Sequence, residues 1–271
     1  MSSADTPVAA GLDGLAAADG RLLVSVGVFD GLHRGHAALV RALVAAARAR
    51  DARPTIVTFD HHPDEILEGH APPLLLDPAE RFARLVAAGV EEVVVLHFDE
   101  ALRQTSYVDF VGAIRERARL AGFVMTEGSA FGHERRGTPE ALATLGRDVD
   151  FDVVVVPPLR VGGRPIQSTT IRSAIAAGEL ATAAGLLGRA VSATGSRDPK
   201  DGLAVVGFPM PVALPPAGTY RVRVGPPIES APVGGWPGRS RTAHVDADGV
   251  VAFAGPTLTE GRLRIAFDHR R

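Results

Sequence analysis

Five short apolar runs rich in β-branched residues, Leu22–Val28, Thr55–Phe59, Glu92–Leu96, Phe123–Thr126 and Phe151–Val156, are each followed by a stretch with helical spacing. That alternation confines the fold more than any other feature. Strands apolar on both faces need helices on both faces, which is the arrangement of a parallel sheet in an α/β domain. Helices are expected at His36–Arg50, Pro78–Ala88, Tyr107–Leu120, Thr138–Gly146, Thr170–Ala177 and Glu179–Leu187. In the first of them Leu39, Val40, Leu43, Val44 and Ala47 make one apolar stripe.

After about Gly188 the pattern changes. Turn-rich segments such as "ATGSRDPKDG" and "GPPIESAPVGGWPGRS" punctuate short runs at Thr219–Val224, Val250–Phe253 and Arg262–Phe267, an all-β signature. A boundary near residue 188 therefore separates an α/β domain, 21–188, from a small β domain, 189–271. Residues 1–20 carry small apolar side chains and acidic early charges with no basic segment, and read as a disordered lead-in to a cytoplasmic protein. No later stretch approaches the ~18 apolar residues of a membrane span.

Charge and rare residues narrow the chemistry. With 29 basic and 31 acidic residues the formal charge is -2, without the basic excess that nucleic acid or membrane binding favours. There is no cysteine, so disulfides, thiolate metal sites and cysteine nucleophiles are excluded together. Lys200 is the only lysine and lies in "SRDPKDG", so the chain has no lysine-bearing phosphate loop. Phosphate handling is left to arginine, histidine and backbone amides.

In a parallel sheet, ligands gather beyond the carboxyl ends of the strands. The chain places "GVFDGLHRGH", Gly27 to His36, between its first strand and first long helix. Gly27, Gly31 and Gly35 permit close backbone approach, and the amides at the helix start favour an anion. His33 and His36, three residues apart, can both donate to one phosphate chain. A metal set drawn from Asp30, His33, His36, His61 and His62 is the competing reading, although it leaves the glycines without a purpose. A second cluster lies in "GGRPIQSTTIRSAI": Ser168 and Thr169 at a helix entrance, with Arg172 in its first turn as the cation to neutralise a triphosphate.

These segments resemble the bifunctional riboflavin kinase/FMN adenylyltransferases of prokaryotes, also called FAD synthetases. Gly27-Val28-Phe29-Asp30-Gly31-Leu32-His33-Arg34-Gly35-His36 is similar to the family's GxFDGxHxGH, Thr58-Phe59-Asp60-His61-His62-Pro63 to its TFxxHP, and Ile166-Gln167-Ser168-Thr169-Thr170-Ile171-Arg172 to its ISSTxIR. The resemblance, spanning roughly Leu22 to Val224, implies a Rossmann-like nucleotidyltransferase domain. It further implies ATP as substrate with Mg²⁺, His33, His36 and Arg172 as catalytic residues, and Gly27, Phe29, Asp30, Gly31, Gly35, Ser168 and Thr169 around the nucleotide. The implied acceptor is FMN, converted to FAD with release of pyrophosphate.

Two segments depart from the family pattern. In Val124-Met125-Thr126-Glu127-Gly128-Ser129-Ala130-Phe131-Gly132, Gly128 and Ser129 stand where a polar contact and an aromatic ring are expected. The acceptor is then held by a rebuilt set drawn from His62, Pro63, Glu127, Ser129 and Phe131, or is another phosphorylated small molecule. In the β domain Met210-Pro211-Val212 stands in place of Thr-Ala-Asn, removing the hydroxyl and amide expected to serve the kinase. A riboflavin-kinase-like barrel, complete or truncated, without kinase activity, is expected there. A non-catalytic nucleotide- or flavin-binding protein is the alternative class.

Overall fold

The computed structural model describes residues 8–15, 20–200, 203–228, 237–254 and 261–270. The chain divides into two compact units and crosses between them several times: one comprises Met1–Phe29, Gly35–Pro72 and Phe82–Arg160, the other Asp30–Arg34, Pro73–Arg81 and Val161–Arg271. The boundary expected near 188 falls inside the second unit.

The first unit is a six-stranded parallel sheet of β1 (Val8–Ala10), β2 (Arg21–Val26), β3 (Ala52–Phe59), β4 (Glu92–Leu96), β5 (Arg119–Thr126) and β6 (Asp152–Val156), in the order β1-β4-β3-β2-β5-β6. The connections carry α1 (Arg34–Arg48), α2 (Asp64–Leu67), α3 (Pro78–Ala87), α4 (Glu100–Gln104), α5 (Tyr107–Arg115) and α6 (Pro139–Val149). Leu22, Val24, Val57, Val94 and Leu96 pack with Phe110, Ile114, Phe123, Leu142 and Phe151 in one buried cluster. Leu23, Ile56 and Val93 are buried as well and, by strand alternation, face the other way. The Rossmann-like α/β expectation is met. Strand order runs outward from β2 in both directions, toward β3 and toward β5, so the topological switch point lies at β2.

Two expectations are corrected here. The lead-in supplies an edge strand: Val8–Ala10 pairs in parallel with Val93–Val95, and Leu15 is buried in the core; the rest of that segment, 1–7 and 16–19, lies outside the described residues. The helix expected over Tyr107–Leu120 stops at Arg115, and β5 begins at Arg119. "RERARLAG" is compatible with a helix by local propensity, but burial of Leu120 and Ala121 in the sheet overrides it. Gly122 there has φ +152°, and a Cβ on it would lie 2.1 Å from the Asp152 carbonyl oxygen.

The second unit contains the short hairpin β7 (Arg160–Val161) with β8 (Arg164–Pro165), helices α7 (Ser168–Ala176) and α8 (Leu180–Leu187), and a barrel. The barrel strands are β9 (Val191–Lys200), β10 (Leu203–Gly207), β11 (Gly218–Gly225), β12 (Arg239–Val245), β13 (Val251–Ala254) and β14 (Arg262–Arg270). They close in the order β10-β13-β12-β11-β14-β9, with β9 pairing to β10, so the expected barrel is present and complete. Closure leaves no strand edge unpaired. Along β11, Tyr220, Val222 and Val224 point inward and Thr219, Arg221 and Arg223 outward. Buried Arg264 on β14 reaches Glu80 at 3.1 Å and Ser192 at 2.8 Å, fixing the 73–81 segment within this unit. Among the described residues no helix is long and apolar enough to cross a membrane.

Candidate active site

The chain leaves β2 in an unusual conformation. Phe29, Gly31 and Leu32 have φ of 52°, 75° and 35°, a left-handed run that costs roughly 1–3 kcal/mol for each non-glycine residue and persists only where surrounding structure enforces it. Glycine is required at 31, since a Cβ there would also lie 2.9 Å from the Leu75 side chain. Gly27 donates its N–H to Val57 O at 3.0 Å, and Thr58 of the second motif donates its hydroxyl to Val28 O at 3.2 Å, so β3 holds the start of the loop. The ring of His36, in the first turn of α1, lies 5.3 Å from that of Phe29. The loop thus delivers the backbone into the first turn of a fifteen-residue helix, where backbone amides and the positive end of the dipole favour an anion.

Within the second unit Asp30 is the centre of the arrangement. It is buried, both carboxylate oxygens accept the Leu75 N–H at 3.0 and 3.1 Å, and Arg172 Nη2 donates to Oδ2 at 2.5 Å. Ser168 Oγ donates to Asp30 O at 3.3 Å, and Arg172 Nε donates to Pro73 O at 2.7 Å. Ser168 is the first residue of α7 and Arg172 stands four further on, just past the first turn and on the same face, which is why both reach the same residue. Buried Arg81, which no sequence motif singled out, lies in the field of Asp30 and Asp77. His33 is buried too: burial first, and the Arg189 cation second, lower its pKa to about 4, against a backbone hydrogen bond that raises it. The imidazole is therefore neutral near pH 7 and carries a single N–H to donate.

The structure thus brings Asp30, Ser168 and Arg172 together, and gives Asp30 a positioning task rather than an open carboxylate. A cavity of about 530 Å³ in this unit is lined by Arg172, Ser173, Pro73, Val212, Leu214 and Asp246, among others. His33 and Ser168 are not on its wall. The segment that replaces Thr-Ala-Asn is held there by backbone bonds, Leu74 N to Pro211 O and Ala213 N to Leu74 O, both 2.9 Å.

The residues expected to hold the acceptor are in the first unit and are largely engaged. Ser129 donates its hydroxyl and its N–H to Thr126 O, at 2.7 and 3.0 Å, closing a turn. The Phe131 ring lies 5.4 Å from Phe110 and 5.5 Å from Phe123, as part of the core. Glu127 is exposed, His62 Nδ1 accepts the Asp64 N–H at 3.3 Å, and Pro63 precedes α2.

The metal set considered from sequence draws on both units, and a different group of ligands comes together within the first. Asp60 and His61, after β3, meet His97, after β4, with their ligand atoms within 4.8 Å of one another. Burial alone would raise the Asp60 pKa, but the hydrogen bond from His97 and the neighbouring His61 lower it, while the same Asp60 bond raises His97. His97 escaped notice because "LHFDE" carries no motif; its place just beyond a parallel strand was the available signal.

Comparison with known proteins adds to this geometry. The family model described as FAD synthetase matches residues 16–170, more than half of the chain. The bifunctional riboflavin kinase/FMN adenylyltransferase of Escherichia coli (strain K12) is 29% identical over 211 residues, covering 74% of this chain and 67% of that protein. A putative bifunctional riboflavin kinase/FMN adenylyltransferase of Geobacillus thermodenitrificans is 31% identical over 170 residues, covering 61% of this chain and 89% of that protein. In fold the chain is similar to a crystal structure described as a macrolide-efflux protein from Streptococcus pneumoniae, with a TM-score of 0.81 at 24% identity, covering 97% of this chain and 90% of that one.

Proposed function

Because the chain belongs to the FAD synthetase family, we propose that it is an FMN adenylyltransferase, moving the adenylyl group of ATP to the phosphate of FMN. A phosphate oxygen of FMN attacks the α-phosphorus, the bond from that phosphorus to the bridging oxygen breaks, and pyrophosphate leaves. No protein nucleophile is needed; alignment and charge stabilisation supply the rate. The observation that carries the reading is the strained loop of Phe29 to Leu32 at the switch point of the sheet, leading to His33 just before α1 and His36 in its first turn.

His33 enters as a neutral donor, fixed by burial, and His36 donates from the helix start. Arg172 stays tied to Asp30, so its charge reaches a bound triphosphate already partly offset. The donor set suits Mg²⁺ brought in on the nucleotide: Asp30 is engaged by Leu75 and Arg172, and the hydroxyls of Ser168 and Thr169 are protein oxygens that would hold the ion beside phosphates and water. When bound, that ion would neutralise charge on the phosphates. Incubation with ATP, Mg²⁺ and FMN is expected to yield FAD and pyrophosphate in equal amounts. His36→Ala is expected to lower kcat about 10²–10³-fold, as loss of one preorganised donor does elsewhere. Failure of the wild-type protein to form FAD, or an unchanged rate in the variant, would refute the assignment.

A second reading has its own support: Ser129 closes a turn and Phe131 belongs to the core, so an acceptor other than FMN is compatible with the same nucleotide site. Pyrophosphate release with another phosphorylated small molecule, and not with FMN, would select it. Riboflavin kinase activity is expected to be absent, because Met210 and Val212 offer no side-chain hydroxyl or amide where the family pattern has threonine and asparagine. Formation of FMN from riboflavin and ATP would overturn this.

A further inference from the structure

We infer that Asp60, His61 and His97 form a binding site for a divalent transition-metal ion, separate from the Mg²⁺ that accompanies ATP. The three side chains come from the ends of neighbouring parallel strands, β3 and β4, and are 42%, 22% and 69% exposed, so an ion can enter and keep water in its remaining positions. His61 Nδ1 lies 2.6 Å from Asp60 Oδ1, and His97 Nδ1 lies 2.7 Å from Asp60 Oδ2. The two imidazoles stand edge to face, with centroids 5.0 Å apart.

The tautomer of His61 supplies an independent argument. Its Nε2 lies 3.0 Å from Phe98 O, and a carbonyl can only accept, so that nitrogen carries the hydrogen. With that hydrogen in place, His61 Nδ1 and the carboxylate oxygen 2.6 Å away are bridged by a cation, either a proton on Nδ1 or a metal ion that takes its place. A carbonyl that fixes the far nitrogen of a ligating imidazole is also the usual outer support of a metal site. Donors at about 2.0–2.2 Å from one ion stand roughly 3.0–3.4 Å apart, so these side chains need open by only about half an ångström, which exposed groups do freely.

The donor chemistry selects the ion. Two imidazoles and one carboxylate suit Zn²⁺, Co²⁺, Ni²⁺ or Cu²⁺, whereas Mg²⁺ prefers an all-oxygen set. Backbone N–H of His61 also donates to Asp60 Oδ1 at 2.8 Å, holding the carboxylate in place before any ion arrives. The neighbouring His62 faces Asp64 and is not part of the set.

The test is titration of the chelator-treated full chain with Zn²⁺ by calorimetry, and with Co²⁺ by visible absorption, in Mg²⁺-containing buffer. One ion per chain is expected to bind, Mg²⁺ is expected not to compete, and side-chain nitrogen resonances of His61 and His97 are expected to shift. Asp60→Asn and His97→Ala, both at exposed positions, should each weaken the ion by about 10- to 100-fold or more, with circular dichroism unchanged. His70→Ala should leave the affinity as it is. Absence of saturable one-to-one binding, or an affinity unchanged from the wild type in the Asp60 and His97 variants, would overturn the site. Because the readouts are binding and spectra, they stand whether or not FAD is formed.

Discussion

Phe29-Asp30 follows β2 and Phe59-Asp60 follows β3, the same dipeptide at the carboxyl ends of neighbouring parallel strands, and the two carboxylates have opposite surroundings. Asp30 is buried and its oxygens accept from the Leu75 amide and Arg172; Asp60 is exposed and faces two imidazoles. The histidines differ in the same sense. His33 is buried and kept neutral, while His97 is raised by its carboxylate neighbour. A short motif therefore fixes which residues leave a strand, but burial and partners decide whether a carboxylate holds the backbone or remains available to an outside cation.

The sharpest way to break this comparison is to remove both carboxylates in turn. Asp30→Ala removes the partner of the half-buried Arg172 guanidinium and leaves the buried Leu75 N–H unsatisfied, and breaking a pair of that kind costs up to about 3–5 kcal/mol. Asp60→Ala removes only screened contacts between exposed groups and should shift the urea midpoint little. Equal losses in the two variants would show that burial does not separate them. Asp30→Asn should fall between, because an amide oxygen can still accept from Leu75 while the charge on Arg172 goes unpaired.

The imidazoles sharpen the contrast next. His33 titrates at about 4 in the folded chain and near its ordinary 6.5 when unfolded. The unfolded chain therefore takes up the proton first, and stability present above pH 6.5 declines as pH falls toward 4 and is lost below it. A difference of that size corresponds to about 3 kcal/mol. Urea unfolding of the wild type and His33→Gln across that range should show a slope in the first that is missing in the second. Parallel slopes would place His33 in solvent-like surroundings.

The parallel sheet and its helices could be read from the chain because strands buried on both faces write themselves as apolar runs, and Leu39, Val40, Leu43, Val44 and Ala47 repeat with the period of a helix. The barrel was only half legible. In β9, "VSATGSRDPK" carries the residues of a turn, and its ten-residue extension rests on backbone pairing with β10 and β14 that no local pattern announces. At the site, glycines and histidines marked the loop, and the helix expected from Thr170 begins two residues earlier, at Ser168. What stayed hidden was who meets whom. Asp30 and Arg172 are 142 residues apart, and Asp60 and His97 are 37, so their partnerships depend on strand order rather than on spacing.

The smallest expected effect is the most discriminating for the open carboxylate. Without metal, Asp60→Asn should leave the urea midpoint unchanged, since an exposed amide replaces an exposed carboxylate and loses only contacts that water screens. With Zn²⁺ in excess the wild type should gain stability in proportion to the logarithm of free ion over its dissociation constant, because only the folded chain brings β3 and β4 side by side. Asp60→Asn, lacking the charge that joins the two imidazoles, should gain less at every concentration. The difference between the two curves, small at first and widening with added ion, measures what Asp60 contributes as a ligand. Curves that coincide throughout would leave it as an ordinary surface carboxylate and remove the distinction from Asp30 in all but burial.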